Sequence, residues 1–323
     1  MMKNDNIATV LAREYGYHIG IIERFISYFG LETTKKMLEA YNVPLKKTIR
    51  CNTLKYSPQE LLERLERKGF QLEKSPYYDL GFVILAEPFP LGATTEYLLG
   101  GYFIQSQASW LPVLALEVQP GEFIIDFAAA PGGKATHIAQ LMENQGVLLC
   151  LEISRERMKA LRSNLTRCGV KNVITKRMDS TSFWELNIKA DKILLDAPCT
   201  GEGLMAVDLD RRKKSVKSDM ERLNEIQKEL FASALHSLKK GGVLVYSTCS
   251  TAPEENEKVI EWALEEFPIE ILELQISNIA PGLQKVVKEE FQPAIRKTGR
   301  LFPHLHGTEG FFVCKIQLEE EID

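Results

Sequence analysis

Two cysteines follow two short apolar runs that read as buried strands. Cys199 stands in Asp196-Ala197-Pro198-Cys199-Thr200-Gly201, and Cys249 in Ser247-Thr248-Cys249-Ser250. Upstream lies a turn of small residues, Asp126-Phe127-Ala128-Ala129-Ala130-Pro131-Gly132-Gly133-Lys134. In an open parallel sheet, ligands bind beyond the carboxyl ends of the strands, so these segments converge on one cleft. The chemistry they fit is a thiol-dependent transfer onto a ring carbon, fed by a nucleotide-like cofactor. Carbon 5 of a pyrimidine is a poor nucleophile. A thiolate that adds at carbon 6 makes carbon 5 enamine-like, and a base must later remove the carbon-5 proton before the thiol leaves.

The two thiols are not equivalent in sequence. Cys249 precedes Thr251-Ala252-Pro253-Glu254, which reads as a helix start, and a positive helix end favours thiolate. Cys199 has Asp196 and Glu202 close in sequence, and nearby carboxylates oppose ionisation. Against this order, Pro-Cys is the nucleophile dipeptide of DNA cytosine-5 methyltransferases. The loop at 196–199 lacks the aromatic ring that amine methyltransferases stack on a base.

The small-residue turn ends a strand and opens a helix, whose N-terminus offers free N–H groups. Glu152 ends the next strand, twenty residues past Gly132, where an acid that binds ribose hydroxyls is expected. The turn is neither GxGxxG nor a P-loop. An adenosine-bearing ligand without a critical phosphate fits it, and S-adenosyl-L-methionine is such a ligand. Asp179, after the third strand, reads equally as an adenine contact or as a helix cap. His137 reads as a packing residue.

The elements that must position these residues fall into two parts. Residues 120–323 alternate short apolar strands (123–127, 147–151, 172–176, 192–195, 243–247, 269–274, 311–316) with helices (134–143, 155–168, 220–239, 253–267), the pattern of a parallel sheet covered on both faces. Leu238-Lys239-Lys240-Gly241-Gly242 reads as a helix stop. An antiparallel pair is expected for the last two strands. Residues 1–118 differ: helices at 17–28 and 33–41, a strand at 49–54, a helix opened by the Ser57-Pro58-Gln59-Glu60 capping box and a strand near 82–85 describe a small α+β domain.

The 323 residues carry a net charge of −4, so any nucleic-acid binding must come from local patches. Candidates are Lys35-Lys36, Lys46-Lys47, Arg211-Arg212-Lys213-Lys214 with Lys217, and Arg296-Lys297 with Arg300, each of which alone reads as a solvated face. Six cysteines without a CxxC pair fit a reducing cytosol and no zinc site. No run of eighteen apolar residues and no secretory leader are read, so the expectation is a cytoplasmic protein that does not meet a membrane.

AAPGGK at 129–134, DAPCTGEG at 196–203 and STCS at 247–250, in this order, resemble the Sun/Nop family of S-adenosylmethionine-dependent RNA (cytosine-5)-methyltransferases. The segment at 101–109, Arg50-Cys51-Asn52-Thr53-Leu54, and Arg300, Pro303-His304 and Gly310-Phe311-Phe312 extend the likeness. The resemblance implies an α/β protein: a Rossmann-like seven-stranded methyltransferase domain (101–323) preceded by a small α+β, RRM-like RNA-binding domain (1–100). It implies that Ala128, Ala129, Ala130, Pro131, Gly132, Gly133, Lys134, Glu152, Arg157, Asp179 and Asp196 hold S-adenosyl-L-methionine. Cys249 would be the nucleophile, Cys199 would promote release of the product, and Asp196 and Lys134 would orient the cytosine. Glu152 stands where Asp is usual, Ala135 for a common Thr, and Cys51 for a common Val. RNA is the expected partner of a monomeric enzyme, tRNA favoured by chain length and rRNA the alternative. A non-catalytic RNA-binding factor is the rival class, and a nicotinamide oxidoreductase is disfavoured by the missing GxGxxG.

Overall fold

The computed structural model describes residues 6–214, 217–287 and 289–322. Three helices come first: α1 (Ile7–Tyr15), α2 (Ile19–Phe29) and α3 (Leu31–Tyr41). A βαββαβ unit follows, with β1 (Thr48–Cys51), α4 (Pro58–Glu66), β2 (Gln71–Lys74), β3 (Gly81–Ala86), α5 (Thr95–Leu98) and β4 (Tyr102–Ile104). Its four strands form an antiparallel sheet in the order β2-β3-β1-β4. As the capping box predicts, Ser57 accepts a hydrogen bond from the Glu60 amide at the start of α4. The boundary expected at residue 100 falls inside this sheet, because β4 pairs with β1 through Cys51 and Tyr102.

The larger sheet is built from β5 (Phe123–Asp126), β6 (Val147–Glu152), β7 (Val173–Arg177), β8 (Ala190–Asp196), β9 (Leu238–Thr248), β10 (Ile269–Leu272), β11 (Ala280–Pro281), β14 (Gly299–Leu301) and β15 (Phe311–Leu318). A separate hairpin, β12 (Lys285–Val286) and β13 (Glu289–Glu290), precedes β14. The order is β7-β6-β5-β8-β9-β15, parallel through β9 and antiparallel at β15, which pairs on its far side with both β10 and β14. The seven expected strands are thus extended by the short β14 and β11.

Alternation along the strands explains both covering layers. Ile125, Leu149, Leu151, Ile193, Leu195 and Tyr246 face one way, onto α9 (Lys217–His236) and α10 (Glu257–Glu266). Their neighbours Ile124, Leu148, Cys150, Leu194 and Val245 face the other, onto α6 (Leu111–Ala115), α7 (Gly133–Leu141) and α8 (Arg155–Cys168). Truncating any one of these leucines or isoleucines to alanine is expected to cost about 2–5 kcal/mol.

Two local expectations are corrected. The segment 238–242 does not stop a helix: α9 ends at His236, and β9 already pairs Leu238 with Ala190. The glycines serve a bulge instead. The register jumps between Ala190 and Lys192, and Gly241 takes a left-handed φ of 75°. The helix expected at 253–267 is broken at Asn256 into a 3-10 turn, Pro253–Glu255, and α10.

The N-terminal parts do not stand apart. Helices α1–α3 pack through Ile21, Ile22, Phe25, Leu38 and Tyr41 against Met205 and Phe302 of the larger domain. The βαββαβ sheet keeps Ile49, Cys51 and Tyr102 for its own core. Arg50, on the opposite face of β1, is fully buried against α7. It donates to Thr136 Oγ1 (2.8 Å) and to Gln140 Oε1. At Gly81 an added Cβ would lie 2.3 Å from Trp110, so the sheet meets the larger domain without a gap. In an RNA-recognition sheet this is the face on which bases stack; here it is covered.

Candidate active site

Parallel pairing sets Asp126, Glu152, Asp196 and Thr248 at neighbouring strand ends. Ala197 N donates to Ser247 O (2.8 Å), which carries the β8–β9 register one step past Asp196. The loops that follow bring the two thiols together, with Cys199 Sγ 3.3 Å from Cys249 Sγ. Both are half-buried, and all six cysteines are free thiols.

Backbone contacts clamp the loops. Gly203 N donates to Cys249 O (2.9 Å), and Gly310 N donates to Gly203 O (3.0 Å). A Cβ at Gly203 would fall 1.9 Å from Gly310 O, so this approach requires glycine. Glu255, fully buried, accepts from Thr200 N (2.8 Å), Thr200 Oγ1 (2.6 Å) and Gln227 Nε2 (3.1 Å). Gln227 also donates to Pro198 O (2.9 Å). Glu202, expected beside Cys199, instead turns inward: it is 1% exposed and forms an ion pair with Arg24 of α2. The helix start expected after Cys249 is also displaced. Ala252 heads the 3-10 turn without a side-chain cap, and α10 begins only at Glu257.

Charge at the site is organised by Lys134. Its Nζ donates to Asp196 Oδ2 (2.7 Å), and Ser247 Oγ donates to Asp196 Oδ1 (2.7 Å). Burial lowers the affinity of Lys134 for its proton, but Asp196 and then Asp126 outweigh it, and the lysine is held charged. The Cys199 thiol is pushed well above its ordinary value, first by its hydrogen bond to Cys249, then by burial and by the charges of Cys249, Glu255 and Asp196. The groups around the thiols differ from those read in sequence: Glu255 rather than Glu202 joins Asp196 near Cys199, and no α-helix starts directly after Cys249. Burial also raises Asp126 to about 7, against Lys134 and the Ala128 amide, which lower it. Its Oδ2 is buried without a partner among the described residues.

The predicted cofactor residues line two cavities that meet at Asp196 and Ala128. The larger, about 550 Å³, is bounded by Ala128, Glu152, Ile153, Arg157, Asp179, Asp196 and both cysteines. The smaller, about 250 Å³, is bounded by Ala128, Ala129, Ala130, Pro131, Gly133, Lys134, Phe103, Gln105 and Asp196. Gly132 lines neither; it turns the chain into α7 at φ 107°, with Leu161 and Asn164 packed on it. Glu152 accepts from the Ser154 amide (2.8 Å) and lies 3.5 Å from Arg157, whose other nitrogen donates to Ala130 O (2.7 Å). Asp179 both caps, accepting from Thr181 N (3.0 Å), and borders the larger cavity. An acid at a strand end, the exposed apolar face of Ile153 and the small Ala128 fit a ribose, a base and a close backbone approach. His137 is fully buried beside Tyr78, with both ring nitrogens unpartnered among the described residues, and burial and Arg50 hold it neutral.

Fold and site define a Rossmann-like methyltransferase domain. Its residues 113–317 match the model of the 16S rRNA methyltransferase RsmB/F family, and residues 21–107 match the N-terminal domain of 16S rRNA methyltransferase RsmF. The chain belongs to the RsmB/F methyltransferase family. It is 35% identical to the 25S rRNA (cytosine-C(5))-methyltransferase nop2 of Schizosaccharomyces pombe, over 97% of this chain and 53% of that one. It is 40% identical to ribosomal RNA small subunit methyltransferase F of Vibrio campbellii, over 85% of this chain and 57% of that one. The chain thus spans about half the length of these curated relatives. A methyltransferase homologue from Pyrococcus horikoshii superposes with a TM-score of 0.87 at 41% identity, covering 96% of this chain and 98% of that one. NSun6 from the same organism, solved with SFG, gives 0.82 at 27% identity, covering 93% and 97%.

Sequence reasoning missed four supporting residues. Ser247 sits inside a quoted motif and Glu255 just past one, but they were read as strand and helix residues. Arg24 and Arg50 act across domains, and no local spacing signals that.

Proposed function

We propose that this chain is an S-adenosylmethionine-dependent RNA (cytosine-5)-methyltransferase acting on ribosomal RNA. The observation that carries the reading is the pair of strand-end thiols 3.3 Å apart beside the Lys134–Asp196 ion pair. One thiol is needed to add to the ring and a second group to help it leave; a nicotinamide oxidoreductase or a non-catalytic binding module needs neither.

Ala128, Glu152, Arg157 and Asp179 would hold S-adenosyl-L-methionine, whose analogue SFG accompanies NSun6. When bound, that group supplies an electrophilic methyl. The chain's own residues do the rest. Cys199, held as a thiol, donates its proton toward Cys249 Sγ, and a donor on sulfur favours the thiolate. Lys134 adds a positive charge nearby. Cys249 then attacks carbon 6 of cytosine. The carbon 5–carbon 6 π pair moves onto carbon 5, which takes the methyl. Asp196, fixed by Ser247 and Lys134, orients the base. Loss of the carbon-5 proton to a base restores the double bond and expels Cys249, with Cys199 placed to assist.

The tRNA expectation rested on chain length. Both curated relatives named above are rRNA enzymes, which supports rRNA as the substrate class. The test is transfer of tritium from labelled S-adenosylmethionine to rRNA or tRNA. Label recovered as 5-methylcytosine in rRNA is expected. Label in tRNA alone, or on an exocyclic amine, overturns the reading.

A further inference from the structure

We propose that the depression between α8 and β7 binds the phosphodiester backbone of the RNA substrate, outside the catalytic cleft. The proposal rests on the RNA reading above and extends it to a second contact surface.

Several cations of the patches legible in sequence are neutralised in the fold. Lys35, Lys46, Lys47 and Lys297 pair with Glu32, Glu73, Glu87 and Glu270. Arg300 is buried on Glu257, and Arg212 is spent on Tyr41 O, Asn42 and Met205 O. The Lys217 side chain lies outside the described residues.

Helix α8 is different. It carries five cations and one carboxylate in a chain of net charge −4. Arg155, Lys159 and Arg162, at helical spacing, line one depression of about 510 Å³ with Arg177 of β7, over the buried Met158. Arg162 Nε donates to Thr175 Oγ1 (3.0 Å), which fixes it over the strand. Lys159 is shared with Glu156 (3.1 Å). Arg155 and Arg177 pair with no carboxylate among the described residues. Arg155 also stands in the first turn, where a cation opposes the helix dipole, so helix stability does not account for it.

The arrangement fits a run of phosphates rather than a single anion. From Arg155 to Arg162 the helix rises about 10 Å. The depression adjoins the cleft, since Arg177, which lines it, is the register partner of Glu152, which borders the larger cavity. The sheet face that an RNA-recognition domain would offer is covered by α7 and Trp110. Phosphate contacts of this kind supply affinity and register rather than sequence choice.

The test compares R155E/R177E with K189E/K240E, an equal charge change at the opposite ends of the parallel strands. Binding of a fluorescein-labelled rRNA fragment is measured against salt, and S-adenosylmethionine binding by calorimetry. R155E/R177E is expected to lose about tenfold in RNA affinity and to make the slope of log affinity against log salt shallower by about 1.4–1.8, two contacts' worth. Cofactor affinity stays unchanged, and K189E/K240E binds RNA like the unaltered chain. If R155E/R177E binds RNA like the comparator, the depression is a solvated face and the proposal falls alone. If the unaltered chain binds no RNA, the substrate reading falls and takes the proposal with it.

Discussion

Arg24 of α2 forms an ion pair with Glu202, three residues beyond Cys199, so a helix at the start of the chain braces a loop of the catalytic centre. Tyr41 of α3 reinforces it, donating from its hydroxyl to Glu202 O (3.2 Å). The N-terminal helices are thus part of the catalytic domain's support.

Replacing Arg24 by Met leaves Glu202 charged and buried without its partner, a change worth about 3–5 kcal/mol. R24M is expected to unfold at lower denaturant and to lose methylation. R24M/E202Q removes the stranded charge and should recover part of the stability, giving a clear coupling in a double-mutant cycle. Additive losses would show that the pair does not brace the loop.

Arg50 joins β1 to both ends of α7, the helix that leaves the small-residue turn, through Thr136 and Gln140, and also donates to Gln105. R50M strands Thr136, Gln140 and Gln105, at about 1–3 kcal/mol. Cofactor affinity by calorimetry should weaken along with stability, because the turn at 128–134 is held from the α7 side. Unaltered cofactor affinity in a destabilised R50M would confine Arg50 to domain docking.

Asp126 gives a pH signature. Burial raises it from an ordinary 3.8 to about 7 in the folded protein. A carboxyl with a raised folded value contributes stability below pH ~4 that is lost as pH rises through ~7. D126N, which stays neutral, should therefore match the unaltered protein near pH 4. It should be more stable by about 1–3 kcal/mol above pH 7. Thermal unfolding from pH 4 to 8 reads this out. Parallel curves would mean that Asp126 is ionised throughout.

These pairs also mark where sequence legibility ends. The apolar runs placed β5, β6, β7 and β8 within two residues at either end, whereas β9 begins five residues before its apolar run and β7, at the sheet edge, is largely exposed. The cysteine and Lys134 motifs were legible because a strand end, a turn and a helix follow one another locally. The Arg24–Glu202 and Arg50–Gln140 contacts join residues 178 and 90 positions apart, and no periodicity encodes them. Glu202 and the Thr251–Glu254 stretch misled for a related reason. Acids near a cysteine and before a helix look the same whether they face solvent, a thiol or a distant arginine. The basic depression was missed because its members are dispersed along α8 and β7 rather than contiguous.

The division of labour between the two thiols is the central claim, and trapping tests it most directly. RNA and S-adenosylmethionine are incubated with C249A or C199A, and the products are run on a denaturing gel. The account predicts no methylation and no covalent complex for C249A. For C199A it predicts a denaturation-resistant protein–RNA adduct, because attack proceeds and release does not. An adduct with C249A and none with C199A would contradict it.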